Sequence, residues 1–361
     1  MLLLGFLITA TFWPYVDGAG TVSRWAVLCV AVPIGLFWVR VIPFPALLVV
    51  GLLGFWATLS LIWTTVFDDG IYQLAQFAVI AGCLVIGTSV RSLRAFYTGA
   101  AYGLAISSFI AILQFLGYEP VQTTLWGTDI GPHQVPPSGL FINPDLLGEI
   151  CIVVLVGLWT YRQYWMTILV LPGLILSQSR TAMVAAVICV LAYAWPRARW
   201  KSLLAIPLLI AIVYAIAPYK WHIETLGGGR LDLWLDTLQG LTFWGHGVGS
   251  FYSTFIKYAT HVDTFHYQPD NAHNDLLQFT FELGVPAAVA LVATLSVVWW
   301  QAFEPERLVL LAFAVIGMLA FPLHEPATAA VFGIVAGYAA RNWRDLRYPL
   351  GYRKLPLYSG G

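Results

Sequence analysis

The chain has 361 residues, 59% hydrophobic and 10% charged, with 18 basic and 18 acidic side chains and no net charge. A mean hydropathy of +0.78 excludes a water-soluble globule and points to a polytopic membrane protein. The balanced charge gives no sign of a nucleic-acid partner, and none is expected.

Apolar runs of roughly 15–22 residues between charges, turns and prolines predict an all-α protein with about twelve transmembrane helices. They fall near 2–16, 24–39, 42–66, 71–90, 95–117, 146–161, 164–179, 181–196, 202–218, 285–303, 308–322 and 327–340. Residues 1–361 then form a single integral membrane domain with both termini on one side. Basic residues set the orientation. With the N-terminus in the cytoplasm, the inner segments hold Arg40, Arg91, Arg94, Arg162, Arg197, Arg199, Lys201 and Arg307, followed by a basic cytoplasmic tail over 341–361. The outer side keeps only Arg24, Arg180, Lys220, Arg230 and Lys257, and it receives all seven histidines. The titratable chemistry therefore gathers at the outer face of the membrane.

Two outer segments are long. Residues 118–145 carry three prolines between Pro132 and Pro137, and 219–284 reads as a large external loop subdomain inserted between helices. The sequence shows no internal repeat. Its four cysteines, Cys29, Cys83, Cys151 and Cys189, all lie inside predicted helices, where they serve as small packing residues. The 16 tryptophans and 17 tyrosines suit interfacial belts.

Three polar outer sites interrupt the apolar pattern. Ser177-Gln178-Ser179-Arg180-Thr181 breaks two helices apart, and an arginine there needs an anion, a wet cavity or the interface. A snorkelling arginine would also satisfy the position, but it has no need of three adjacent hydroxyls. Gly227-Gly228-Gly229-Arg230 opens an amphipathic stretch with Leu231, Trp234, Leu235, Leu238 and Leu241 at helical spacing. Glycine N–H groups beside a guanidinium at a helix start make an anion site, whereas three glycines alone make a flexible loop. Asn271-Ala272-His273-Asn274-Asp275 precedes another apolar run, so Asn271, Asn274 or Asp275 caps a helix whose dipole would keep His273 neutral. Neutral imidazole is the form a general base needs, although hydrogen bonding at a helix start is the simpler role.

Other candidates carry less chemistry. His261, His266 and His273 lack the spacing of a helical metal pair, so no metal and no cofactor is expected. His246 sits in a glycine turn without a preceding strand, and Asp68 and Asp69 end an outer loop in solvent. His324 and Glu325 either pair with each other or line the site. Two outer guanidiniums suit a pyrophosphate, which they would stabilise as it departs with growing negative charge.

Together these residues resemble the O-antigen ligase/polymerase superfamily of bacterial inner-membrane glycan transferases. Asn143-Pro144 with Leu147 is similar to the family's start of a central helix, and Ser177-Gln178-Ser179-Arg180-Thr181 to its Ser-x-Ser-Arg-Thr motif. Arg230 with Trp234 is followed by Gly245-x-Gly247-x-Gly249-Ser250-Phe251. His273-Asn274-x₂-Leu277 with Glu282-x-Gly284 is the most specific match, and Phe321-Pro322 with Pro326-Ala327 completes the order.

The resemblance implies the GT-C-like architecture of lipid-dependent glycosyltransferases, with the 219–284 loop as a lid. It implies metal-independent transfer of a glycan from an undecaprenyl-pyrophosphate donor to an acceptor hydroxyl. Arg180 and Arg230 would bind the pyrophosphate and His273 would activate or orient the acceptor. Ser177, Ser179, Thr181, Asn274 and His324 would complete the substrate-binding shell. Ligase and polymerase remain alternatives. A ligase takes a lipid A-core acceptor, whereas a polymerase takes another lipid-linked glycan and works with a chain-length regulator. The acidic outer loops lean towards the polymerase. A polytopic transporter of a polyprenyl-linked or anionic substrate is the rival class, opposed by the absence of repeated halves.

Overall fold

A computed structural model describes residues 1–12, 19–39, 42, 44–118, 136–141, 143–198, 229–262 and 268–341. Among the described residues every regular element is helical, in agreement with the all-α expectation. The helices are α1 (Leu2–Ala10), α2 (Ala19–Leu36), α3 (Phe44–Leu59), α4 (Phe67–Ser89), α5 (Arg94–Phe115), α6 (Pro144–Thr160), α7 (Thr167–Ser177) and α8 (Arg180–Ala198). Then come α9 (Arg230–Gln239), α10 (Phe251–Phe255), α11 (Asp275–Gln301), α12 (Glu304–Leu319) and α13 (Pro326–Ala340). Each expected membrane segment holds an α-helix except 202–218, which lies outside the described residues, as does the tail beyond Arg341.

Several helices are shorter than expected. By length and composition α4, α5 and α11 are long and apolar enough to cross a membrane, whereas α1 has 9 residues and α7 has 11. Local chain geometry accounts for α7. Arg162 takes a left-handed φ of 59° and a 3₁₀ turn occupies Tyr164–Met166, which delays the start of the helix. At its other end Gln178 caps it in the left-handed region. The predicted 285–303 segment begins earlier, because α11 continues across a break at Gly284 (φ 82°, ψ 174°) that the sequence reading took for its start.

Close approach of small residues holds the bundle together, as it must where apolar surroundings offer helices no hydrophobic drive to pair. α1 packs on α5, and α13 packs on α4 with Gly333 against the Ile80 carbonyl and Gly337 against the Leu84 backbone. Cys83, Cys151 and Cys189 are buried in this core and Cys29 is exposed; all four are free thiols.

Residues 229–262 carry a second small core, in which Leu233, Phe251 and Phe255 meet Ala272 and Phe281. The amphipathic helix expected to start near Arg230 is α9. Leu231, Leu235 and Leu238 point outward, while Leu233, Asp236 and Thr237 are buried. The reason is Asp236, whose carboxylate accepts the backbone N–H groups of His261 and Val262 at 2.9 Å and fixes which side of the helix faces in.

Candidate active site

The candidate residues meet where helix ends converge. Asn143 caps α6 by accepting the Asp145 N–H at 2.8 Å, with Pro144 at the first helical position. Gly148, one turn on, lies against Ser177 and Ser179, so α6 presses into the polar break between α7 and α8. There Ser177 donates to the Leu174 carbonyl at 2.8 Å, and Ser179 caps α8 by accepting the Ala182 N–H. Both hydroxyls are buried and serve the backbone. The Thr181 hydroxyl differs, because it reaches the guanidinium of Arg230.

Arg230 heads α9 behind Gly229, whose φ of 77° turns the chain into the helix. Its Nη1 donates to Thr181 Oγ1 at 3.1 Å, and its Nη2 lies 3.8 Å from the Asp145 carboxylate. The contact with Thr181 brings Arg230 to the start of α8, where Arg180 occupies the adjacent position with an exposed side chain. The two arginines of the sequence reading therefore belong to one corner of the molecule.

His273 enters through Trp234, one turn beyond Arg230, whose indole N–H donates to the Ala272 carbonyl at 2.9 Å. That bond fixes the 271–274 loop against α9. His273 adopts a φ of 48°, its N–H bonded to Asn271 Oδ1, and its ring meets the edge of Phe321 at 5.0 Å. Its Nδ1 is buried without a hydrogen-bond partner. Burial, then the Arg230 charge, lower its pKa to about 4, with Asp145 opposing. The imidazole is neutral as expected, but the cause is corrected. His273 precedes the cap of α11 instead of lying in its first turn, so desolvation and Arg230 replace the helix dipole as the cause.

Asn274 is that cap. Its Oδ1 accepts the Leu277 N–H at 3.0 Å and its Nδ2 donates to the Met318 carbonyl at 3.1 Å, tying α11 to the end of α12. His324 pairs with Asp275 (3.1 Å), not with Glu325. Burial works against its charge, yet the bond to Asp275 and the nearby carboxylates outweigh it and raise its pKa. Glu325 instead receives the Thr21 hydroxyl, and burial, opposed by Arg24, lifts its pKa to about 7.

The glycine turn is structural. Gly247 N–H bonds to the Glu282 carbonyl and Val285 N–H to the Phe243 carbonyl, so the turn pairs with the broken part of α11. The Glu282 side chain accepts the Gly249 and Phe251 N–H groups and the Gln73 amide of α4. His246 is held by the Gly240 carbonyl at 2.6 Å.

Residues 165–292 match the family model described as O-antigen ligase. Over this span the chain is similar to the O-antigen ligase family. The match runs from the polar break through Arg230 and the glycine turn to His273 and beyond Glu282, so the resemblance read from the residues is borne out. With it stands the coarse function, a membrane enzyme of a glycan-transferring family. Comparison with curated proteins gives no match.

Sequence reasoning passed over two residues of α6 that precede the O-antigen ligase span. Asp145 directly follows Asn143-Pro144, where an acidic first-turn residue is already explained by the helix dipole. Only the fold reveals its partner, Arg230. Glu149, one turn further along α6, is buried with Oε2 lacking a hydrogen-bond partner. Among the described residues no group of three His, Cys, Asp or Glu side chains is arranged to hold a metal ion.

Proposed function

We propose that this chain transfers a glycan from an undecaprenyl-pyrophosphate donor to an acceptor hydroxyl at the periplasmic face of the bacterial inner membrane. The observation that carries the reading is the placement of Arg230. Its guanidinium is held by Thr181 and Asp145 beside the loop of a neutral, buried His273. Arg180, at the head of α8, joins it on the pyrophosphate. The wider setting proposed is a GT-C-like arrangement of about twelve spans, with 219–284 as the external subdomain.

In the reaction the acceptor oxygen forms a bond to the anomeric carbon. The bond from that carbon to the pyrophosphate oxygen breaks, and its electron pair leaves on the pyrophosphate, where the arginines stabilise it. His273 accepts the hydroxyl's hydrogen bond and takes its proton as the new bond forms. An imidazole of low pKa is sufficient for this, because a hydroxyl bonding to an electron-poor carbon becomes strongly acidic. Ser177, Ser179 and Asn274 act by holding the helix ends, while Thr181 orients Arg230.

The test is a transfer assay with purified protein, a lipid-pyrophosphate-linked repeat unit and EDTA, with and without lipid A-core. A ladder of products without core identifies a polymerase, and a single shift requiring core identifies a ligase. Transfer persists in EDTA. Failure with both acceptors across several donors overturns the proposal in favour of transport.

A further inference from the structure

Glu149 takes no part in the reaction as drawn above, and the fold gives it little to do. It lies on α6 one turn beyond Asp145, about 6 Å further along the axis at a rise of roughly 1.5 Å per residue. Its side chain is 1% exposed, and its Oε2 is buried without a hydrogen-bond partner. Buried polar atoms are nearly always paired, and an unpaired carboxylate oxygen is among the costliest exceptions. Asp145, by contrast, has a side chain 40% exposed and faces Arg230. The two carboxylates therefore give this corner a depth, with Arg230 and Asp145 at its rim and Glu149 at its floor.

The surrounding charges restrict what can satisfy Glu149. Asp145, Glu325 and Asp275 bear on it with the same sign, and Arg230 with the opposite sign. A phosphate would add another negative charge and bring no hydrogen to donate. Among the described residues these carboxylates are not gathered as the ligands of a metal ion. What fits is a neutral donor, and a sugar hydroxyl is the one that a glycan-transferring site receives. A carboxylate accepts such a hydroxyl in a short, charge-assisted bond. The sugar nearest a pyrophosphate held by Arg230 is the one bonded to it, and Asp145 ties Arg230 to the same helix one turn away.

We propose that Glu149 accepts a hydrogen bond from a hydroxyl of the donor's first sugar, the one joined to the pyrophosphate, and so selects which glycan is transferred. The inference deepens the transferase reading and rests on it for the place of the pyrophosphate at Arg230. It gives a reason for keeping an unpaired carboxylate at this depth. A leucine would fill the space at lower cost to the unliganded protein, but it would leave the sugar hydroxyl without a partner in the complex. A site built to hydrogen-bond a hydroxyl discriminates strongly against ligands that do not offer one there.

The experiment titrates the full chain in detergent micelles, read by native mass spectrometry. The probes are undecaprenyl pyrophosphate and the same carrier bearing one N-acetylglucosamine, N-acetylgalactosamine, glucose or galactose. Wild type is expected to bind at least one sugar-bearing carrier about tenfold or more tighter than the bare carrier, the scale of one hydrogen bond to a charged group. Glu149→Leu should weaken that sugar-bearing carrier by the same factor, with affinity for the bare carrier undiminished and the thermal midpoint at or above that of wild type. Glu149→Gln, which keeps a neutral acceptor, should retain part of the preference. A wild type indifferent to all four sugars overturns the proposal, as does a preference that survives both substitutions at full size. Equal weakening of bare and sugar-bearing carriers, or a fall in the thermal midpoint of both variants, assigns Glu149 to the fold and overturns it too. Arg230→Ala tests the reading beneath it, and should weaken the bare carrier at least about tenfold, the scale of losing a charged partner. No loss there removes Arg230 from the pyrophosphate, while the sugar preference is still read from Glu149.

Discussion

Arg230 and Asp145 act on the same imidazole with opposite signs. The guanidinium lowers the His273 pKa and the carboxylate raises it, both beneath the larger effect of burial. Arg230→Ala should therefore raise the pKa from about 4, and Asp145→Asn should lower it further, as read by NMR titration of a histidine-labelled protein. Movement in the same direction in both variants would show that neither charge reaches the ring. Arg230→Ala should also cost transfer activity by ~100-fold or more, the scale of losing one preorganised donor to a departing anion. At this scale the sequence disclosed which residues carry charge or lone pairs, since Arg180, Arg230 and His273 interrupt otherwise apolar or glycine-rich stretches. It did not disclose their partners. Asp145 and Arg230 are 85 residues apart in the numbering, and nothing local in either segment refers to the other.

The helix ends show how this corner is kept in shape. Ser179, Asn143 and Asn274 cap α8, α6 and α11, and each spends its side-chain oxygen on a backbone N–H. The cap of α11 was legible, as one of Asn271, Asn274 or Asp275, because a cap is local, a polar residue directly before an apolar run. The pairing of the glycine turn with the break in α11 was not, since it joins segments distant in the chain, through backbone bonds and the Glu282 carboxylate. Gly245 sits at φ 76° with space for a Cβ already taken by the Glu282 carbonyl. Gly245→Ala should accordingly destabilise the small core carried by residues 229–262 by roughly 1–3 kcal/mol, the cost of a strained backbone position. Faster hydrogen exchange over 240–262 than over α4 and α5 would register it; uniform exchange would show that the turn is not a separate point of weakness. The outward leucines of α9 make the same point, for helical spacing reveals that a stripe exists but not which way long-range bonds turn it.

Across the whole molecule, hydropathy identified the helical segments well and their lengths poorly. Apolar composition continues past the point where a 3₁₀ turn or a left-handed residue ends a helix, as around Arg162 and Gln178. Bundle packing depends on contacts such as Gly337 against the Leu84 carbonyl, where any added carbon overlaps backbone. Gly337→Val should lower the thermal midpoint of the whole protein, by an amount corresponding to ~1–3 kcal/mol of overpacking. A midpoint equal to wild type in a detergent-stable sample would show that α4 and α13 separate at little cost. The carboxylate of Glu282 gives this architecture a mechanical consequence. Through it the membrane helix α4, the broken helix α11 and the turn before α10 share a single joint. Such a joint transmits displacement instead of absorbing it. A tilt of α4 in response to bilayer thickness would be delivered to the loop that carries His273, making the spacing of His273 and Arg230 sensitive to the surrounding lipid.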